Sequence, residues 1–131
     1  VVVPARTFIA TAAAVATRGA RPGVADVDPL SQNLTAETVS KALSPRTKAI
    51  IPVHLFGQTC NMNEILLISK KYNLKIVEDC AQACGALYKG KKAGSMGDIG
   101  CYSFYPTKIL GAYGDGGFLT TNSKKIYENI F

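Results

Sequence analysis

No stretch of this 131-residue chain approaches the roughly 18 to 20 apolar residues of a membrane span, and no charged leader with a cleavage site opens it. The expectation is a cytoplasmic protein with no membrane partner. Histidine is scarce: the single one, His54, sits in an apolar run. The four cysteines, Cys60, Cys80, Cys84 and Cys101, fall at spacings that fit no zinc pattern, so no metal site is expected. They read as small buried thiols of a reducing compartment. A basic stripe interleaved with aromatics is also missing. The net charge of +6 is spread over both halves of the chain, which argues against a nucleic-acid partner. The cluster Lys89, Lys91 and Lys92 reads as a solvated turn. There is no initiating Met. The opening VVVP resembles the tail of a buried strand and the closing IYENIF a helix in progress, so a fragment of a longer protein is expected.

What is present is a globular composition, 47% apolar and 18% charged, in a chain long enough for a real core. Short apolar runs alternate with segments of helical period. Strands are expected at Val1–Pro4, Gly23–Asp28, Ala49–Leu55, Lys75–Glu78, Ile99–Phe104 and Gly117–Thr121. Pro52 should end or bulge the third of these. Helices are expected at Thr7–Arg18, closing at Gly19, at Thr35–Leu43 with Thr35 as N-cap, and at Asn61–Tyr72. In the last of these, Ile65, Leu66, Ile68 and Tyr72 share one face. Ser123 can cap a terminal helix. The strands are nearly all apolar rather than alternating, which means that both sheet faces are covered. The predicted fold is a three-layer α/β/α domain on a mostly parallel sheet.

In such sheets ligands bind beyond the carboxyl ends of the strands. Asp79 ends the strand KIVE, Ser103 lies at the end of IGCYSF, and Lys108 follows in the stretch SFYPTKILGAYGDGG. Each has a plain structural reading. Asp79 can be an Asx-turn or helix cap, Ser103 a turn hydroxyl, and the glycines a tight loop. Taken together, an acid, a hydroxyl and a lysine at one sheet edge suggest a cofactor. Pyridoxal phosphate is the one whose needs they match. A lysine bonds its aldehyde, hydroxyls and backbone N–H groups bind its phosphate, and a carboxylate keeps its pyridine nitrogen protonated.

The stretches TFIAT (7–11), ADVD (25–28), VEDCAQACGA (77–86) and SFYPTKILGAYGDGG (103–117) together resemble the DegT/DnrJ/EryC1/StrS family of sugar aminotransferases, of pyridoxal-phosphate fold type I. The resemblance covers essentially the whole chain. It implies a part of the large cofactor-binding domain, spanning 1–131, without the start of that domain and without the small C-terminal domain. By position it makes Lys108 the lysine that bonds the cofactor and Asp79 the partner of the pyridine nitrogen. Gln82 becomes the residue beside the ring and its hydroxyl, and Ser103 a phosphate ligand. Phe8 becomes the aromatic against the cofactor face. Core packing remains an alternative for Phe8, and a plain surface-loop role for Gln82. Gly111, Gly114, Gly116 and Gly117 would let the chain turn sharply after the lysine, aim it inward and bring backbone close to the site.

The implied activity is transfer of an amino group from L-glutamate to a keto sugar linked to a nucleotide, in amino-sugar and surface-polysaccharide synthesis, by a protein that is a homodimer at full length. Alone, the 131 residues are expected to be inactive. Two rivals stay open. Relatives include sugar dehydratases, in which histidine replaces the lysine and against which Lys108 argues, and aminotransferases for cyclitols or aromatic amino acids. A non-catalytic regulator or interaction module that keeps the fold is the other.

Overall fold

A computed structural model describes residues 1–130. The chain opens with β1 (Val2–Pro4), buried at every position, and α1 (Ala10–Thr17). Next come β2 (Gly23–Ala25), α2 (Ala36–Ala42), β3 (Ala49–Ile50) and α3 (Met62–Tyr72). After β4 (Lys75–Asp79), a small hairpin of β5 (Leu87–Tyr88) and β6 (Lys91–Lys92) precedes β7 (Ile99–Ser103), β8 (Gly117–Thr120) and α4 (Lys124–Ile130). Six strands form one sheet in the order β2-β1-β3-β4-β7-β8. All its pairings are parallel except β7 with β8.

The strand order reverses between β1 and β3. The chain first steps one way, from β1 to β2, and then the other way, across β1 to β3 and on to β4. Right-handed crossovers place α1 on one face of the sheet and α2 with α3 on the opposite face. This is the expected mostly parallel α/β/α arrangement. The core lies under α2 and α3, where Val39, Met62, Ile65, Ile50 and Ile76 are all at most 1% exposed. Each large side chain buried this way contributes roughly 1.5–3 kcal/mol.

Local chemistry sets the boundaries. Thr35 caps α2 in a reciprocal box with Thr38, and Glu37 in the first turn reaches Lys41. At the end of α1, Gly19 takes φ +72° and donates to Ala16, while the N–H of Ala20 donates to Val15, a Schellman closure. The Ser123 hydroxyl accepts from the N–H of Ile126 at the start of α4.

Several expectations shift. Helix α1 starts at Ala10 rather than Thr7, with Ile9 at the cap position and no side-chain cap; the Thr7 hydroxyl is engaged with Thr11 instead. Strand β2 stops at Ala25, because Asp28 turns the chain by accepting the N–H groups of Leu30 and Ser31. Strand β3 pairs over only two residues. Pro52 has no N–H to offer, and past it a single bridge joins Val53 to Asp79 before a tight turn at Leu55–Gly57. On α3, Met62 is buried along with Ile65, and Tyr72 in the last turn is half exposed. The lysine cluster forms a hairpin, turned by Lys89 (φ +49°) and Gly90 (φ +80°). Both positive φ values belong to the turn type that matches strand twist.

Candidate active site

Asp79 is the last residue of β4 and is fixed from both sides. Its N–H donates to Pro52 O at 2.9 Å, its carbonyl accepts from the N–H of His54 at 3.0 Å, and the next N–H, of Cys80, donates to Cys101 O on β7 at 2.8 Å. The carboxylate accepts at both oxygens. Ala81 N–H reaches Oδ1 at 3.1 Å, which is the Asx-turn of the plain reading. The Thr11 hydroxyl, from α1, reaches Oδ2 at 2.9 Å. The second contact spans 68 residues of sequence, so the carboxylate is more than a local cap.

Ser103 ends β7, and its Oγ accepts from Tyr105 N–H at 3.2 Å. The loop beyond is tied to itself: Lys108 N–H donates to Tyr105 O, Ala112 N–H to Phe104 O and Phe104 N–H to Gly116 O. None of its four glycines has a positive φ, so they are not there to permit a left-handed turn. The reason is close approach at two of them. A Cβ on Gly111 would lie 2.5 Å from Pro106 O, and one on Gly117 would lie 2.5 Å from Tyr102 O. Gly114 faces open space, and nothing in the structure requires glycine there. Lys108 is half-buried, and its ammonium makes no hydrogen bond or ion pair among the described residues.

These segments enclose a cleft of about 520 Å³ at the carboxyl ends of β1, β3, β4 and β7, beside the point where strand order reverses. Asp79, Gln82, Ser103, Lys108 and Phe8 all line it. Phe8 lines the cleft and is 71% exposed, so it is not part of the core of the described residues. Gln82 is no idle loop residue. Its Oε1 accepts from Phe56 N–H at 2.7 Å and holds Phe56 in a left-handed conformation at φ +56°. Because that oxygen is engaged, the amide nitrogen is the end of Gln82 left for a ligand.

A profile of the DegT/DnrJ/EryC1/StrS aminotransferase family matches residues 1–131. The chain belongs to this family. It is 52% identical over 130 residues to a UDP-N-acetyl-3-dehydro-alpha-D-glucosamine 3-aminotransferase of Acidithiobacillus ferrooxidans, covering 99% of this chain and 35% of that protein. It is 48% identical over 128 residues to a Geobacillus stearothermophilus protein named as a pleiotropic regulatory protein, covering 98% and 34%. Among solved structures, NtdA of Bacillus subtilis with its cofactor PMP bound superposes with a TM-score of 0.86 at 36% identity, over 95% of this chain and 28% of that one. The chain thus spans about a third of the length of the relatives it matches.

One buried cluster in this family member was not legible as functional in the sequence. Glu78 and His54 are both fully buried, with His54 Nε2 2.9 Å from Glu78 Oε2. Cys60 N–H donates to His54 Nδ1, so the ring proton sits on Nε2 and is donated to the carboxylate. Glu78 also accepts the N–H groups of Gly94, Met96 and Gly97. Burial pushes the Glu78 carboxyl upward, but the donors from His54, Gly97, Gly94 and Met96 outweigh it and hold it below the usual range.

Cys80 Sγ lies near this pair, and the three donor atoms come within 4.8 Å of one another. They do not make a ready metal site. Both His54 nitrogens and both Glu78 oxygens are already engaged, and burial pushes the Cys80 thiol up, away from the thiolate a metal needs. Cys60 is likewise pushed up to about 12 by burial. The cluster is a hydrogen-bonded cradle that ties β4 to the 54–60 and 94–97 segments. The signal in the sequence was a histidine and a glutamate in otherwise apolar strands.

Proposed function

We propose that the full-length protein is a pyridoxal-phosphate-dependent aminotransferase that moves the amino group of L-glutamate onto a keto sugar linked to a nucleotide. The described chain is the site-bearing part of its large cofactor-binding domain. The observation that carries this reading is the convergence of Lys108, Asp79, Gln82, Ser103 and Phe8 on one cleft. Their donor set fits the cofactor. An unpaired amine suits an aldehyde, a carboxylate suits a protonated ring nitrogen, and a hydroxyl suits a phosphate. An exposed aromatic suits a ring face, and the cleft lies within the size range of small-molecule sites. NtdA, bound to PMP, supports the same assignment.

In this reading the Lys108 amine would hold the aldehyde end of the cofactor and would carry the proton taken from the donor's α-carbon. Asp79 would keep the ring nitrogen protonated, and the cofactor, when bound, would supply an electron sink for the reaction. Ser103 Oγ, which already accepts from Tyr105 N–H, has its own O–H free for the phosphate. Gln82 offers its amide nitrogen to the ring oxygen. Phe8 covers one ring face and keeps water from it.

The named aminotransferase from Acidithiobacillus supports a nucleotide-linked sugar as acceptor. No helix of the described residues is long and apolar enough to cross a membrane, and we place the full-length protein in the cytoplasm as a homodimer. The 131 residues alone carry no activity in this reading.

A second reading, a cofactor-fold protein with a regulatory rather than catalytic task, is favoured by the name of the Geobacillus relative. One experiment separates the two. Pyridoxal phosphate added to the full-length protein should give a visible absorption band that Lys108→Ala abolishes and that L-glutamate bleaches. A band that glutamate leaves unchanged supports the regulator, and no band at all overturns both the cofactor and the reaction.

A further inference from the structure

The Thr11 hydroxyl has one hydrogen, and it goes to Asp79 Oδ2 at 2.9 Å, since a carboxylate only accepts. The Thr7 and Thr11 hydroxyl oxygens are also 2.9 Å apart. With Thr11's hydrogen committed, Thr7 is the donor in that contact. A chain of fixed direction results, Thr7 O–H to Thr11 O–H to the carboxylate. Thr11 is 7% exposed, Thr7 is half-buried, and both line the cleft. Threonines in helices commonly turn their hydroxyl back onto a carbonyl of their own helix. Thr11 instead spends it on a side chain 68 residues away. In a partly buried site each donor polarises the next, so the Thr7 contact strengthens the one to Asp79.

We propose that Thr11, oriented by Thr7, is a positioning residue. It locks the rotamer of the Asp79 carboxylate and supports its charge, so that the ring nitrogen of the bound cofactor stays protonated. The inference rests on the cofactor reading above and adds residues to it. The Ala81 N–H holds only Oδ1. Without Thr11, Oδ2 loses its protein donor, and the carboxylate has one anchor in place of two.

The test uses full-length protein and pyridoxal phosphate labelled with ¹⁵N in the ring. Wild type, Thr11→Val, Thr11→Ser and Thr7→Val are compared by cofactor dissociation constant, ¹⁵N chemical shift and melting temperature. Thr11→Val should weaken cofactor binding roughly ten-fold or more, the loss typical of a hydrogen bond to a charged group. Its ¹⁵N signal should move toward the unprotonated position. Thr11→Ser, which keeps the donor, should restore both to within a few-fold of wild type, and Thr7→Val should shift both in the same direction by less.

Unchanged affinity and ¹⁵N shift in Thr11→Val overturn the proposal, as does an equal loss in Thr11→Ser. If Thr11→Val does not fold, Thr7→Val decides: an unmoved ¹⁵N signal there overturns the proposal. A wild type that binds no pyridoxal phosphate overturns the cofactor reading itself and takes the inference with it, an outcome distinct from the others.

Discussion

Glu78 and Asp79 are consecutive in β4, yet one carboxylate is sealed in the interior and the other lines the cleft. Alternation along a strand explains how neighbours face opposite sides. Their surroundings explain why both are acids. Glu78 answers three backbone N–H groups and an imidazole N–H, while Asp79 accepts from Ala81 and Thr11 at the cleft.

Glu78→Gln should therefore be severe despite its matching shape. The amide places an NH₂ group against donors that need an acceptor, and about 3 kcal/mol of stability should go with the lost buried interactions. The pH dependence has a definite sign. The folded-state Glu78 carboxyl is lowered from 4.5, so its contribution is complete above that ordinary value and fades as pH falls through the lowered one. Urea midpoints of the full-length protein measured from pH 3 to 7 should show an acid-side loss in wild type that Glu78→Gln lacks. Parallel curves for the two proteins would contradict the assignment.

The lysine loop makes a prediction that its glycine content alone would not. Gly111→Ala should cost about 1–3 kcal/mol, because the new methyl group meets the Pro106 carbonyl at 2.5 Å, and Gly117→Ala should do the same against Tyr102. Gly114→Ala has room and should stay within about 0.5 kcal/mol of wild type. Thermal melting of the three variants checks the order. A Gly114→Ala variant as damaged as Gly111→Ala would mean that the loop is seated differently.

Much of this was legible in the residues. Uniformly apolar runs separated by helical stretches specified the parallel sheet, and Thr35, Gly19 and Ser123 marked the helix ends they cap. Asp79, Ser103 and Lys108 could be placed at one sheet edge because strand ends share an edge in this topology. What stayed hidden depended on distant partners. Thr11 reads as one more small residue of an alanine-rich helix until β4 brings Asp79 to it across 68 positions. His54 and Glu78 look like isolated polar residues in buried strands until the 94–97 loop folds over them. The glycines suggested backbone freedom, whereas the constraint is steric and comes from Pro106 and Tyr102.

Asp79→Asn should leave the fold intact and damage the chemistry. Asparagine fits the space, its oxygen can still accept from Ala81 N–H, and its NH₂ group can donate to the Thr11 hydroxyl, which is free to turn to Thr7; what it lacks is the charge that faces a protonated ring nitrogen. A fall in kcat of roughly 10²-fold or more is expected for losing a preorganised charge at the reacting centre. Melting within a few degrees of wild type, together with steady-state kinetics using glutamate, would confirm it. A kcat within two-fold of wild type would remove Asp79 from the cofactor site.

Lys108 offers the sharpest chemical test, because its amine is the one group proposed to form a covalent bond. Lys108 lines the cleft and its ammonium has no hydrogen bond or ion pair among the described residues, so replacing it removes no polar contact there. Lys108→Ala should fold normally and lose turnover by roughly 10²–10⁴-fold, the range for removing a positioned proton-transfer group. Lys108→Arg should be no better, since arginine stays protonated and cannot serve as the nucleophile. Borohydride reduction of full-length wild type loaded with pyridoxal phosphate, followed by peptide mass mapping, should place the adduct on the peptide holding residue 108. Both variants should show none there. An adduct found on another lysine, such as one of the exposed group Lys89, Lys91 and Lys92, would move the reaction centre away from this cleft.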